Sequence, residues 1–165
     1  MRELTQTSLH PNGNCWQTCV ACLLDLDPEE LPPQADYDKR RQREDGSWET
    51  YGPSYDVPLG AYLRDHHSLG YARIHSPPEL LPMLAVRDPG WHLMEGRTVR
   101  SDLQHDRHVV VARYGQMVWD PHPSRVGLLD SIRWAFLVPF PKSWGELVTA
   151  PCVCPKCATQ MAVAT

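Results

Sequence analysis

Apolar positions along the chain follow two periods, and the change between them separates a helical front from a sheet-forming back. The turn-forming run His10-Pro11-Asn12-Gly13-Asn14 leads directly into the compact apolar segment Cys15 to Leu24, which predicts a helix starting at Cys15 with one face buried and Asn14 as its cap. Within Asp25 to Pro33, Pro28 opens a short helical turn and Pro32-Pro33 close it. Residues 34–56 are polar and charged with scattered Trp48, Tyr51 and Tyr55, and read as a long surface loop or lid. Apolar positions 59, 62 and 63 predict a short helix over 58–67, ending near Gly70. Residues 71–75 alternate as a strand, 78–86 resemble another short helix, and 91–96 form a strand. From there to residue 140 the period is two. The β-branched run Arg107–Tyr114 is followed by a turn at Tyr114-Gly115, a strand over 116–120, a loop around 126–129 and a last apolar strand over 132–140. The fold class expected is α+β, an N-terminal helix packed on an antiparallel sheet.

The hairpin has a chemical consequence. With its turn at Tyr114-Gly115, His108 near the start of one strand and Asp120 near the end of the next come out at the same end, roughly opposite each other. A carboxylate opposite an imidazole fixes its tautomer, the orienting role in a nucleophile–base–acid set. Cys15 at the start of a helix is the matching nucleophile, because unpaired N–H groups and the helix dipole lower a thiol pKa there. Trp16 beside it would wall a substrate cleft. A second reading of the same helix is structural: Cys15, Cys19 and Cys22 stand at i, i+4 and i+7, one face of three small hydrophobes turned to a core. His122, in Pro121-His122-Pro123, rivals His108 as the base and is otherwise a cleft residue. His92 and His105 could also line a cleft.

Composition narrows the function classes. With 165 residues, 42% hydrophobic and 22% charged, the chain can bury a core of its own. A net charge of −4 without a long basic run argues against nucleic acid as a partner. The N-terminus lacks the apolar core of a signal peptide, and no stretch approaches the roughly 18 apolar residues a membrane span needs, so a cytoplasmic protein without membrane contact is expected. Six cysteines in a reducing compartment point to free, catalytic or metal-binding thiols. Residues 1–145 are read as one domain and 146–165 as a tail carrying Cys152, Cys154 and Cys157. The Cys154-Pro155-Lys156-Cys157 knuckle is half of a zinc ribbon, so a structural zinc on these thiols is one reading and a mobile reducible tail the other.

On these residues the chain resembles the papain-like cysteine peptidase superfamily, most of all its bacteriocin-leader-peptidase-like branch and related small bacterial and phage proteins. The matching pieces are Gln6, Gly13-Asn14-Cys15 with Cys19 to Leu24, the His108–Val111 strand, and Asp120 to Ser124 followed by Gly127-Leu128. The resemblance implies a triad of Cys15 attacking, His108 as general base then acid, and Asp120 orienting it. It also implies an oxyanion donor at Gln6, with Asn14 or Gln17 as alternatives beside the Cys15 N–H. The expected activity is thiol-dependent acyl transfer, foremost hydrolysis of a peptide or isopeptide bond in a protein or peptide substrate, with no cofactor required. A catalytically silent binding protein of the same fold, or a transglutaminase- or amidase-type transfer, would use the same framework.

Overall fold

The computed structural model describes residues 1–9, 12–75, 90–98, 100 and 107–140. The expected 78–86 helix, His105 and the 146–165 tail with Cys152, Cys154 and Cys157 lie outside these residues. Helix α1 (Cys15–Leu24) ends where Asp25 adopts a left-handed backbone at φ 60° and returns its N–H to the Ala21 carbonyl. Next come strands β1 (Lys39–Gln42) and β2 (Trp48–Tyr51), helix α2 (Asp56–His67) and strands β3 (Leu69–His75), β4 (Trp91–Arg97), β5 (Arg107–Arg113), β6 (Gln116–Trp119) and β7 (Arg133–Pro139). β1 and β2 form a separate hairpin; the other five strands make one sheet in the order β3-β7-β4-β5-β6, every pair antiparallel. The protein is thus α+β with an N-terminal helix and antiparallel sheets.

The central strands β4 and β5 are buried on both faces, which is why Val109 to Ala112 in β5 is a continuous apolar run rather than an alternating one. On one face Val109, Val111, Leu93 and Ala135 pack with Cys19, Val20 and Cys22 of α1 and with Leu59 and Leu63 of α2. On the other, Val110, Ala112, Met94, Trp134 and Phe136 form a second cluster. Each fully buried Leu or Val contributes roughly 1.5–3 kcal/mol, so this double layer holds β5 in place beneath α1. The Cys19 thiol adds a bond to the Val109 carbonyl at 3.4 Å, and Cys19 and Cys22 are core residues, as the structural reading of that helix face requires.

Three local expectations change. The 34–56 stretch is not one long loop: it holds a 3-10 turn at Gln34–Asp36 and the β1–β2 hairpin. That hairpin turns at Asp45-Gly46, with Gly46 at φ +82° and the Asp45 carboxylate accepting from the Ser47 N–H, and is laced by Arg41 and Arg43 on Glu49. Helix α2 ends at a left-handed Ser68 (φ 53°), and Gly70 lies inside β3. Asn14 precedes α1 but does not cap it: its amide accepts from the Ser8 N–H at 3.1 Å and donates to Thr7 Oγ1 at 3.2 Å.

One close approach matters for the site. The 129–132 segment is bonded onto β4, Leu129 N–H to the Arg97 carbonyl (2.8 Å) and Ile132 N–H to the Glu95 carbonyl (2.9 Å). Between them a Cβ at Gly96 would fall 1.8 Å from the Asp130 carbonyl oxygen, a backbone atom that cannot step aside. Gly96→Ala is expected to destabilise the protein by about 3 kcal/mol, a clear drop in the urea midpoint with little change in slope.

Candidate active site

The turn expected at Tyr114-Gly115 is present, with both residues at positive φ (54° and 73°), the backbone that suits the twist of a tight hairpin. β6 pairs β5 only over Val111–Arg113, with a register irregularity between Val111 and Ala112. The first residues of β5 therefore extend beyond β6, and His108 lies beside Asp120 and His122 where the chain leaves the sheet. His108 Nε2 and Asp120 Oδ1 are 2.6 Å apart, and both side chains are almost wholly buried.

Asp120 is an acceptor hub. Besides His108 it accepts from the His122 N–H (2.8 Å), the Gly127 N–H (2.8 Å) and Arg100 Nη1 (3.1 Å). Burial works against its charge, but the His108 bond and these N–H donors outweigh it and hold the carboxyl well below the usual carboxylate range. An ionised Asp120 requires the His108 proton on Nε2, which leaves Nδ1 as a free lone pair. Burial also lowers the His108 pKa, with the Asp120 bond and charge opposing it, so the imidazole is neutral at pH 7.

Cys15 begins α1 and lines the same cavity, about 900 Å³, as His108, His122, Gln6 and Trp16. The residue is half-buried, but its sulfur is enclosed by protein. The thiol faces the Val109 N–H, next to His108 on β5, as well as the Trp16 N–H and its own. These donors favour the thiolate, as the helix start predicts, but desolvation is larger and the Glu95 carboxylate adds to it, so the thiol is pushed up to about 11. The lowered pKa expected from the sequence is corrected in sign: at neutral pH Cys15 is a thiol. Among the described residues no hydrogen bond joins it to His108.

The other candidates separate. Gln6 is buried, lines the cavity, and donates Nε2 to the Ser8 carbonyl at 3.0 Å, while its Oε1 has no hydrogen-bond partner among the described residues. Asn14 is tied to Thr7 and Ser8, and neither it nor Gln17 lines the cavity. Gln17 instead pairs with Gln34, each backbone N–H donating to the other's side-chain Oε1, both at 3.1 Å. Trp16 walls the cavity edge-on to Tyr71, with the Arg73 guanidinium 4.8 Å from its ring centre. His122 lines the cavity too, but its ring does not bond Asp120: Nδ1 accepts from the Ser124 N–H at 3.1 Å. His92 is fully buried, stacked on Trp134 in the second core cluster, and does not reach the cavity.

Sequence reading missed the arginines of this cavity. Arg40, Arg73, Arg97, Arg100, Arg107 and Arg133 come from five different places in the chain and converge only in the fold. The available signal was the alternation of Glu95 and Arg97 with a gap at Gly96, and the charged ends of the apolar strands at Arg107 and Arg133.

No family model matches the chain, and no curated protein or solved structure is significantly similar to it. Among the described residues no group of three or more His, Cys, Asp or Glu side chains is placed to hold a metal ion. No helix of the described residues is long and apolar enough to cross a membrane.

Proposed function

We propose that this protein is a papain-like cysteine hydrolase that cleaves an amide bond of a peptide or protein through Cys15, His108 and Asp120. The observation that carries the reading is the buried 2.6 Å His108–Asp120 bond, which turns a free imidazole lone pair toward no other described partner in a cavity that Cys15 also lines. The resting pair is neutral rather than a thiolate–imidazolium. His108 Nδ1 takes the Sγ proton as sulfur bonds to the substrate carbonyl carbon and the carbonyl electrons move to oxygen. Collapse of that adduct breaks the C–N bond, and His108 returns the proton to the leaving amine. Water then gives a proton to His108, attacks the thioester and regenerates the thiol. Cys15 N–H at the helix start and the second Nε2 hydrogen of Gln6 are the donors on hand for the developing oxyanion. Transfer of the acyl group to an amine uses the same residues.

An activated peptide thioester tests this directly. It is expected to leave an acyl mass on Cys15 that hydroxylamine removes, forming at least a hundredfold more slowly in His108→Ala. The acylation rate should rise with pH along a limb below 6.5, because burial lowers the His108 pKa, and hold until the thiol ionises near 11. No adduct with any acyl donor, or one indifferent to His108, would overturn the reading. A binding role for the cavity is the second reading, favoured by the high thiol pKa.

A further inference from the structure

The end of the sheet that carries His108 also carries an imbalance of charge. Arg97 and Arg107 stand directly opposite each other on β4 and β5, in the pair next to Gly96 and His108. Like charges directly opposite across a ladder repel, so this arrangement costs stability unless something answers it. Arg97 is answered: its backbone N–H and Nε bond the Asp130 carboxylate at 2.9 and 2.7 Å. Arg133 is answered by Glu95, which is 3% exposed and takes the Arg133 Nε at 2.7 Å. Among the described residues Arg107 has only what is left, the other oxygen of Glu95 at 3.5 Å, and its side chain is 57% exposed. Among the described residues, three guanidiniums thus face two carboxylates here. Of the other arginines lining the cavity, Arg73 pairs with Asp56, Arg100 with Asp120, and Arg40 lies over the Trp48 ring.

Building on the acyl-transfer reading, we propose that the cavity selects peptide substrates with a carboxylate within a residue or two of the bond attacked, and that Arg107 is the group that holds it. The guanidinium fork matches a carboxylate in a bidentate pair, and Arg107, more than half exposed on the cavity wall with one 3.5 Å contact among the described residues, offers a single fork that suits one monovalent carboxylate better than a dianionic phosphate. Arg107 and His108 are consecutive on β5, so their side chains leave opposite faces of the strand, yet both line the cavity, which puts an anion held by Arg107 in the same cavity as the imidazole. The protein as a whole carries −4, so attraction of an acidic peptide has to come from a local surface such as this one.

The test is binding to the Cys15→Ala protein, which removes turnover from the readout, using fluorescent peptide pools identical except for Glu or Gln at the varied positions. The Glu pool is expected to bind at least tenfold tighter, the margin shrinking between about 0.1 M and 1 M salt as the exposed charge is screened. Arg107→Gln should abolish the margin and Arg107→Lys restore part of it; Glu95 keeps Arg133 in both, so the fold has a partner for its buried carboxylate. Equal binding of the two pools, a margin that survives Arg107→Gln, or tighter binding of a phosphoserine pool would each overturn the proposal. Turnover of both pools by the wild type is measured alongside. Equal turnover of Glu and Gln peptides sinks the carboxylate selection while leaving the hydrolase reading intact. A salt-sensitive, Arg107-dependent preference for Glu peptides with no turnover supports the anion site and sinks the hydrolase.

Discussion

On the hydrolase reading proposed above, Cys15→Ala is expected to remove acyl transfer altogether, lowering kcat by about 10⁴–10⁶ on any substrate the wild type turns over. The size follows from the unity of the three groups: without sulfur there is no acyl-enzyme, and His108 has no proton to take. The fold should survive, since Cys15 is half-buried at a helix end while the weight of α1 is carried by Cys19, Val20, Ala21 and Cys22, all fully buried. Stability within about 1 kcal/mol of the wild type, alongside lost turnover, is the expected pair of results. Activity retained in this variant would remove Cys15 from the chemistry and leave it with its two neighbours in the core.

Changes at Asp120 should separate its two jobs. Asp120→Ala leaves the His108 Nε2–H, the Arg100 guanidinium and the N–H groups of His122 and Gly127 without their acceptor in a site where Asp120 is 2% exposed. Removing one partner of so buried a set costs about 3–5 kcal/mol, read in chemical denaturation near pH 7. The sign with pH follows from the shift. The native Asp120 pKa is lowered, so its contribution is complete above the unfolded value of about 3.9 and is lost as pH falls through the native one. The gap between wild type and Asp120→Ala should therefore narrow below about pH 4. Asp120→Asn keeps the shape and tests orientation instead. An amide that donates to Nε2 forces the His108 proton onto Nδ1, the atom needed to accept from the thiol, and turnover should drop about 10⁴-fold while stability falls less than in the alanine variant. The imidazole tautomer, read from ring nitrogen shifts, is the independent check.

The two stretches that read most clearly in the sequence did so for local reasons. An apolar segment entered through Gly13-Asn14 can only start a helix at Cys15, and a β-branched run broken at Tyr114-Gly115 can only turn back on itself, which brings His108 to Asp120. The β1–β2 hairpin was just as local, marked by Asp45-Gly46, but its charged flanks hid it within an apparent loop because the strands are held by Arg41, Arg43 and Glu49 rather than by apolar alternation. The cap at Asn14 was not legible, since Thr7 and Ser8 compete for its amide through a contact the helix itself does not reveal.

By itself the sequence determined where the helix carrying Cys15 begins and which turn sets His108 against Asp120, because both depend on backbone preferences within a few residues. Only the tertiary structure decided the charge state of the site. The N–H donors at the start of α1 act on Cys15 in the direction the sequence implies, but the thiol pKa is set by how much water the packed sheet removes and by Glu95, 80 residues away in the chain. The surplus charge at Arg107 has the same origin: three arginines and two carboxylates from separate strands and the 129–132 segment become neighbours only when the sheet closes. Desolvation and Coulomb energy depend on distances between elements, and those distances are products of the fold.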